Sequence, residues 1–188
     1  MDNIANQATL LYNNMTTNSN TVTTQILSLY DLTATKEALL DTYTPNQTIT
    51  YVTRVENTGS ASLYNLTVVD DLAKGLTQYV DNSVEGYLNG TPIEVNVQIT
   101  NNTVIFTIDN VINPNDNVLI IFETTTPTTR PDVLTNTQTI TANGGSTTGP
   151  IVAVTPNPSA SVKLANYVSL DITKSANKAS IYSGDTLV

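Results

Sequence analysis

The 188-residue chain contains no cysteine, no histidine and no tryptophan, and only 12% of its residues are charged. Without cysteine there is no disulfide framework and no thiol nucleophile. That absence suits the cytosol and the exported proteins of many bacteria equally, so it does not choose a compartment. Without histidine, the commonest general base and metal ligand is missing. Seven Lys and Arg against sixteen Asp and Glu give a net charge of −9. A nucleic-acid partner requires a basic footprint, and an anionic membrane attracts basic segments, so both are excluded as expectations. No run of eighteen apolar residues occurs, so no stretch reads as a membrane-inserting helix. Met1-Asp2-Asn3-Ile4-Ala5 has neither the positive region nor the apolar core of a signal peptide. Any secretion signal is expected outside this stretch, or export uses another route.

Thr and Asn are abundant, and nine Tyr dominate the aromatics. Thr, Val, Ile and Tyr favour pleated strands, while Asn, Gly, Pro and Asp supply turns. Apolar residues alternate with a period of two, whereas helical spacing is scarce. Ile49, Tyr51, Thr53 and Val55 share one face of a long strand, and Leu66 and Val68 continue the pattern in 63–70. Asn89-Gly90 reads as a hairpin turn between strands over 84–88 and 92–99. Val118-Leu119-Ile120-Ile121-Phe122 reads as a strand buried on both faces, and 133–141 closes the series. Lys36–Asp41 contains the one helix-like stretch, Lys-Glu-Ala-Leu-Leu. The expectation is an all-β, Ig-like antiparallel sandwich of seven to nine strands.

Two signatures occur twice. Leu32-Thr33-Ala34-Thr35-Lys36 returns as Leu170-Asp171-Ile172-Thr173-Lys174, and Asn6-Gln7-Ala8-Thr9-Leu10 matches Asn136-Thr137-Gln138-Thr139-Ile140. The order is the end of a unit, one whole unit, then the start of another, which marks a tandem array. Residues 1–28 are accordingly read as end strands of a preceding unit or an N-terminal cap, with strands over 8–13 and 21–28. Residues 29–143 form the complete unit. Residues 144–167, with Gly144-Gly145, Gly149-Pro150 and Pro156-Asn157-Pro158, read as a linker, within which 151–154 can still add a short strand to the unit before it. Residues 168–188 carry the first strand or strands of a following unit. Isolated hairpins are marginal in water, so the N-terminal strands are expected to pair with the central sandwich or cap it. Residues 168–188 are expected to join a sheet edge or pass to a neighbouring molecule.

An ordered set of motifs runs through the central unit: Thr35-Lys36, Pro45-Asn46, Thr48-Ile49-Thr50-Tyr51, Asn57-Thr58-Gly59, Val68-Val69-Asp70, Lys74-Gly75-Leu76, Asn82-Ser83-Val84 and Asn136-Thr137-Gln138-Thr139. In this the chain resembles the conserved-repeat surface domain of bacteria and archaea known as domain of unknown function 11. The family's Gly-Asp turn is replaced here by Pro45-Asn46, though it stands at Gly184-Asp185, and Ala73 occupies a position where Pro is common. The resemblance implies an extracellular, tandemly repeated Ig-like module at the cell surface or cell wall. It implies no reaction, since fold alone does not give function.

A search for chemistry finds little. Ser175-Ala176-Asn177-Lys178 has the Ser-x-x-Lys spacing but lacks the companion motifs of that mechanism, and it reads as a polar loop. Asp70-Asp71, Asp81, Asp109 and Asp116 sit near turns without a calcium-loop spacing, so they read as turn formers and no metal is assigned. Asn-x-Thr sequons follow from composition, and the tyrosines read as cross-strand packing. No cofactor is expected, and the chain is expected not to be an enzyme.

One constellation stands apart. Some stalk-forming Ig-like modules of bacterial surfaces lock their first and last strands by an amide between a Lys amine and an Asn side chain, assisted by a buried carboxyl group. The chemistry needs a neutral, desolvated Lys and a protonated acid beside the Asn carbonyl. Lys36 ends the first strand and Asn136 lies in the last, and both recur in the partial units as Lys174 and Asn6. Asp70, on the face of Leu66 and Val68, is the candidate acid, with Glu56 behind it. The plainer alternative is a solvated Lys36 paired to Asp70, with Asn136 satisfying edge backbone groups. The functional expectation is a non-enzymatic spacer or stalk module whose partners are neighbouring repeats or its own copies, met through end strands. The alternatives are an adhesin-type module for a protein or carbohydrate ligand, or a subunit of a self-assembling surface or spore layer.

Overall fold

In a computed structural model, residues 3–25 and 27–165 are described. The sequence alternates apolar and polar residues, and the fold follows from burying one side of that alternation. Thirteen strands from β5 onward make two packed antiparallel layers, apart from one parallel contact. The first layer has six strands: β5 (Thr33–Ala38), β7 (Thr48–Glu56), β9 (Gln78–Tyr79), β10 (Glu85–Leu88), β11 (Thr91–Ile93) and β14 (Asn117–Thr125). The second has seven: β6 (Thr42–Tyr43), β8 (Leu63–Asp71), β12 (Asn96–Thr100), β13 (Thr103–Ile108), β15 (Val133–Gly144), β16 (Ile151–Ala153) and β17 (Ser159–Leu164). The spatial order is β11-β10-β14-β7-β5 in one layer and β12-β13-β8-β15-β17-β6 in the other. This is an Ig-like β-sandwich, with the two layers closing on a shared core.

The inward residues are those the alternation selects. Ile49, Tyr51, Thr53 and Val55 of β7 are buried, as are Leu63, Leu66, Val68 and Asp70 of β8. Val118, Ile120 and Phe122 of β14 meet Val104, Phe106 and Ile108 of β13. Phe122 lies 5.6 Å from Tyr51 and 5.0 Å from Phe106, centroid to centroid. Asparagine makes the turns: nine of them, including Asn89 and Asn115, take positive φ, which their short amide side chain tolerates. At the Asn57-Thr58-Gly59 turn, buried Asn57 donates through Nδ2 to the carbonyls of Ala61 and Ile112 and accepts from the Gly59 amide. A Cβ on Gly59 would stand 2.4 Å from the Leu29 carbonyl oxygen, so only glycine fits there.

Several expectations are corrected. The helix-like stretch over 36–41 begins inside β5, whose Lys36 and Ala38 pair with Thr53 and Tyr51 of β7. Its register on β7 outweighs a local propensity of a few tenths of a kcal/mol per residue. The linker assigned to 144–167 is part of the sandwich. There β16 and β17 both pair with β15, and Val154 and Val162 enter the core. Its Gly and Pro residues make the corners between strands instead of a free tether. The segment 118–122 alternates, with Leu119 and Ile121 half-exposed, because β14 has a core on one side only. The expected strand over 92–99 divides into β11 and β12, which lie in different layers.

The N-terminal residues form β1 (Asn3–Asn6), β2 (Thr9–Tyr12), β3 (Met15–Asn18) and β4 (Val22–Gln25). Among the described residues these pair only with one another, β1 with β4 and β2 with β3, so of the two expectations, pairing with the central sandwich or capping it, the pairing is not what forms. Lys174, the Ser175–Lys178 spacing, Gly184-Asp185 and the expected strand donation by 168–188 lie outside the described residues.

Candidate functional site

Lys36, Asp70 and Asn136 meet between the two layers. β5 carries Lys36 inward at the edge of the first layer, paired with Thr53. β8 and β15 are neighbours in the second layer, in a register that sets Gln138 opposite Asp70 and leaves Asn136 two residues further along the same face. All of these positions lie on the inward phase of the alternation, beside Ala34 and Ala38 on β5, Leu66 and Val68 on β8, and Leu134 and Ile140 on β15.

Lys36 is 6% exposed, a rare state for a lysine. Its Nζ lies 2.7 Å from Asp70 Oδ2, with neither side chain reaching solvent. The ammonium also rests 4.8 Å from the Tyr51 ring centroid and 5.1 Å from that of Phe122. Asp70 Oδ2 accepts two further hydrogen bonds, from Gln138 Nε2 at 3.0 Å and Asn136 Nδ2 at 3.2 Å. Thr53 Oγ1 in turn donates to Gln138 Oε1 at 2.8 Å. Amine, carboxylate and amide thus converge on a single oxygen in an apolar chamber.

Asp70 Oδ1 has no hydrogen-bond partner, and Asn136 Oδ1 and the Tyr51 hydroxyl make none of full geometry, although the Asn136 side chain lies close enough to Tyr51 to oppose the rise in its pKa. Leaving a buried polar group unpaired costs about 1–3 kcal/mol, so Asp70 Oδ1 is a costly atom in this arrangement. Burial drives the Lys36 amine down to about 8 from its ordinary 10.5, against the opposing pull of Asp70. Burial likewise pushes the Tyr51 hydroxyl up to about 12, reinforced by the Asp70 charge. Lys36 is therefore held far closer to its neutral, nucleophilic form than a surface lysine.

This has a measurable consequence for a chain in which Asn136→Ala removes the amide and leaves the ion pair. Between pH 8 and 10.5 the unfolded chain still binds a proton that folded Lys36 has given up. Stability must therefore rise with pH across that window, by about 3 kcal/mol. Urea unfolding of Asn136→Ala at pH 7 and pH 10 is expected to show the rise. Adding Lys36→Met is expected to remove it.

The other sequence candidates lie elsewhere. Glu56 is exposed and points away from the cluster, so Asp70 is the acid that Lys36 meets. Asp116 caps its own turn, accepting from the Asn113 amide and from Asn89 Nδ2, each at 2.7 Å. Asp109 accepts from Asn96 Nδ2, and Asp71 pairs with exposed Lys74. Among the described residues no three acidic side chains gather as a metal site would require. Gln138 and Thr53 were not anticipated. Their signal was present, since each is a polar residue on the buried phase of a strand whose neighbours are apolar.

No family model matches the chain, and no curated protein matches it either. Solved structures do. BcpA, the major pilin subunit of Bacillus cereus, is similar over 85% of this chain and 47% of its own length, with a TM-score of 0.55 and 13% identity. The full-length major pilin SpaD from Corynebacterium diphtheriae is similar over 69% of this chain and 33% of its own, at TM-score 0.53 and 16% identity. ACE19, the collagen binding subdomain of the Enterococcus faecalis surface protein ACE, matches 74% of this chain and 99% of itself, at TM-score 0.50 and 10% identity. The chain thus spans about half or less of the two pilins it resembles. At these identities the likeness is one of fold: an Ig-like sandwich of the kind found in pilins and surface proteins.

Proposed function

We propose that this chain is a non-enzymatic structural module, a spacer or stalk unit of a bacterial surface protein, whose sandwich is locked by an amide between Lys36 Nζ and Asn136 Cγ. The observation that carries the reading is the convergence of a buried lysine, a buried asparagine and a buried aspartate on Asp70 Oδ2. The pilin and surface-protein folds it resembles, the repeated signatures and the acidic, cysteine-free composition all suit an extracellular array of such units.

These three residues supply every group the reaction needs. Lys36 passes a proton to Asp70, becoming a free amine beside a neutral carboxylic acid. The Asn136 amide, whose Nδ2 faces Asp70 before the reaction, turns its oxygen to the Asp70 hydroxyl, which holds it as the amine lone pair attacks Cγ and the oxygen gains negative charge. A proton then moves from the attacking nitrogen through Asp70 to Nδ2, the Cγ–Nδ2 bond breaks, and ammonia leaves. The product amide keeps one N–H, which donates to Asp70, and its oxygen accepts from the Asp70 hydroxyl. Asn136 Oδ1, which Asp70 does not hold before the reaction, gains the Asp70 hydroxyl as its donor. Lys36 lies in the first layer and Asn136 in the second, so the bond ties the layers together covalently.

Tryptic digestion tests the reading. An amidated Lys36 resists cleavage, so a branched peptide is expected with one arm ending at Arg54 and the other at Lys163. Two separate linear peptides, with cleavage after Lys36, would refute the bond.

A further inference from the structure

Residues 3–25 reproduce the closing strands of the central unit in their pairing as well as in sequence. Aligning Asn6–Leu10 with Asn136–Ile140 sets Ile4 on Leu134 and Tyr12 on Ala142. Aligning Leu32–Lys36 with Leu170–Lys174 is a separate operation, and carried back along the chain it sets Val22 on Ala160 and Thr24 on Val162. Together the two alignments require Asn6 to face Val22 across a ladder, because Asn136 faces Ala160. The structure has that pair, and the neighbouring pairs Ile4↔Thr24 and Ala5↔Thr23 correspond to Leu134↔Val162 and Thr135↔Ser161. β3 lies antiparallel to β2 as β16 lies to the far half of β15. β1 with β2, β3 and β4 therefore stand for β15, β16 and β17.

The difference is in what covers them. Leu134, Asn136 and Ile140 are 1%, 1% and 0% exposed beneath the first layer, whereas Ile4, Leu10 and Tyr12 are 59%, 63% and 69% exposed. This row of apolar residues has the spacing of a sandwich interior and, among the described residues, no opposing layer, and an exposed apolar strand face is a docking surface or an aggregation hazard.

We propose that β1–β4 close a second Ig-like unit, and that Asn6 is the acceptor of a second Lys–Asn amide. The occupant of the exposed face is the opening part of a unit of this kind, equivalent to residues 29–130. It brings its own lysine on the strand equivalent to β5 and its own aspartate on the strand equivalent to β8. The new bond joins that lysine's Nζ to Asn6 Cγ, and Nδ2 leaves as ammonia with the proton relayed by the occupant's aspartate. Ala8 replaces Gln138, so this second acid is held without the amide grip that Asp70 receives. The acceptor role of Asn6 rests on the crosslink proposed for Lys36, whereas the docking of the strands does not.

The test is the full chain carrying a second copy of residues 29–130 placed directly before Met1, the junction that the alignment dictates. Because Tyr12 stands where the central unit has Ala142, the same chain with Tyr12→Ala is made in parallel. In at least one of the two, backbone amides of residues 4–12 are expected to become strongly protected from hydrogen exchange. The same protein is expected to lose two ammonias, and Asn6→Ala should restore it to one. Unprotected 4–12 amides in both chains overturn the second unit. Protection with only one ammonia lost, and that one from the central unit, overturns Asn6 as acceptor. A chain that loses none refutes the Lys36 crosslink instead, and the exchange result then decides the docking alone.

Discussion

Asp70→Asn is expected to retain the ammonia and to leave the chain close to unfolding at room temperature. Two losses combine. The substitution removes the acid that relays the proton, so the amide cannot form. In the chain-entropy picture a crosslink closing a loop of about 100 residues contributes about 5 kcal/mol. It also strands the Lys36 charge among Tyr51, Phe122 and the layer interior, and a buried charge deprived of its partner costs about 3–5 kcal/mol. The total is comparable to the whole stability of an ordinary domain, about 5–15 kcal/mol. Lys36→Met makes the comparison sharp. It too abolishes the crosslink and deprives Asp70 of its cation, but the Gln138 and Asn136 amides still donate to the carboxylate, so its cost should lie between about 5 kcal/mol and that of Asp70→Asn. Urea unfolding of the three proteins should therefore rank them wild type, Lys36→Met, Asp70→Asn. Equal midpoints for all three would contradict both the bond and the buried pair.

Phe122→Ala carries the next largest effect, and it acts twice. The ring is fully buried, stacked on Tyr51, tilted against Phe106 and close beneath the Lys36 amine. Truncating it leaves a cavity in a close-packed core, at about 3–5 kcal/mol. The cavity also relaxes the desolvation that lowers the Lys36 pKa. With water nearer, the amine should hold its proton more firmly and react more slowly. The expected outcome is a chain that is less stable and also incompletely crosslinked, seen as two masses in one preparation. A Phe122→Ala protein that is destabilised yet fully crosslinked would show that this ring does not set the reactivity of Lys36.

Much of this architecture could be read from residue order. The alternation in Ile49, Tyr51, Thr53 and Val55, and in Leu66, Val68 and Asp70, fixes which side of each strand is buried, and the structure buries those residues. The meeting of Lys36, Asp70 and Asn136 was reached differently, through a signature that recurs at Lys174 and Asn6. What escaped was long-range. Lys36–Asp41 has local helical character, and only its pairing with β7 decides otherwise. Pro156-Asn157-Pro158 resembles a tether until β17 is seen antiparallel to β15, 22 to 30 residues away along the paired positions. Gln138 and Thr53 were passed over because polar residues abound in this chain. Their distinction lies in facing inward, which is a property of register and not of composition.

The central claim is a covalent bond, and the intact mass of the purified chain tests it most directly. Formation of the Lys36–Asn136 amide predicts a mass about 17 Da below that of the linear sequence, one ammonia, with the deficit absent in Lys36→Met. A mass equal to the linear sequence would contradict it.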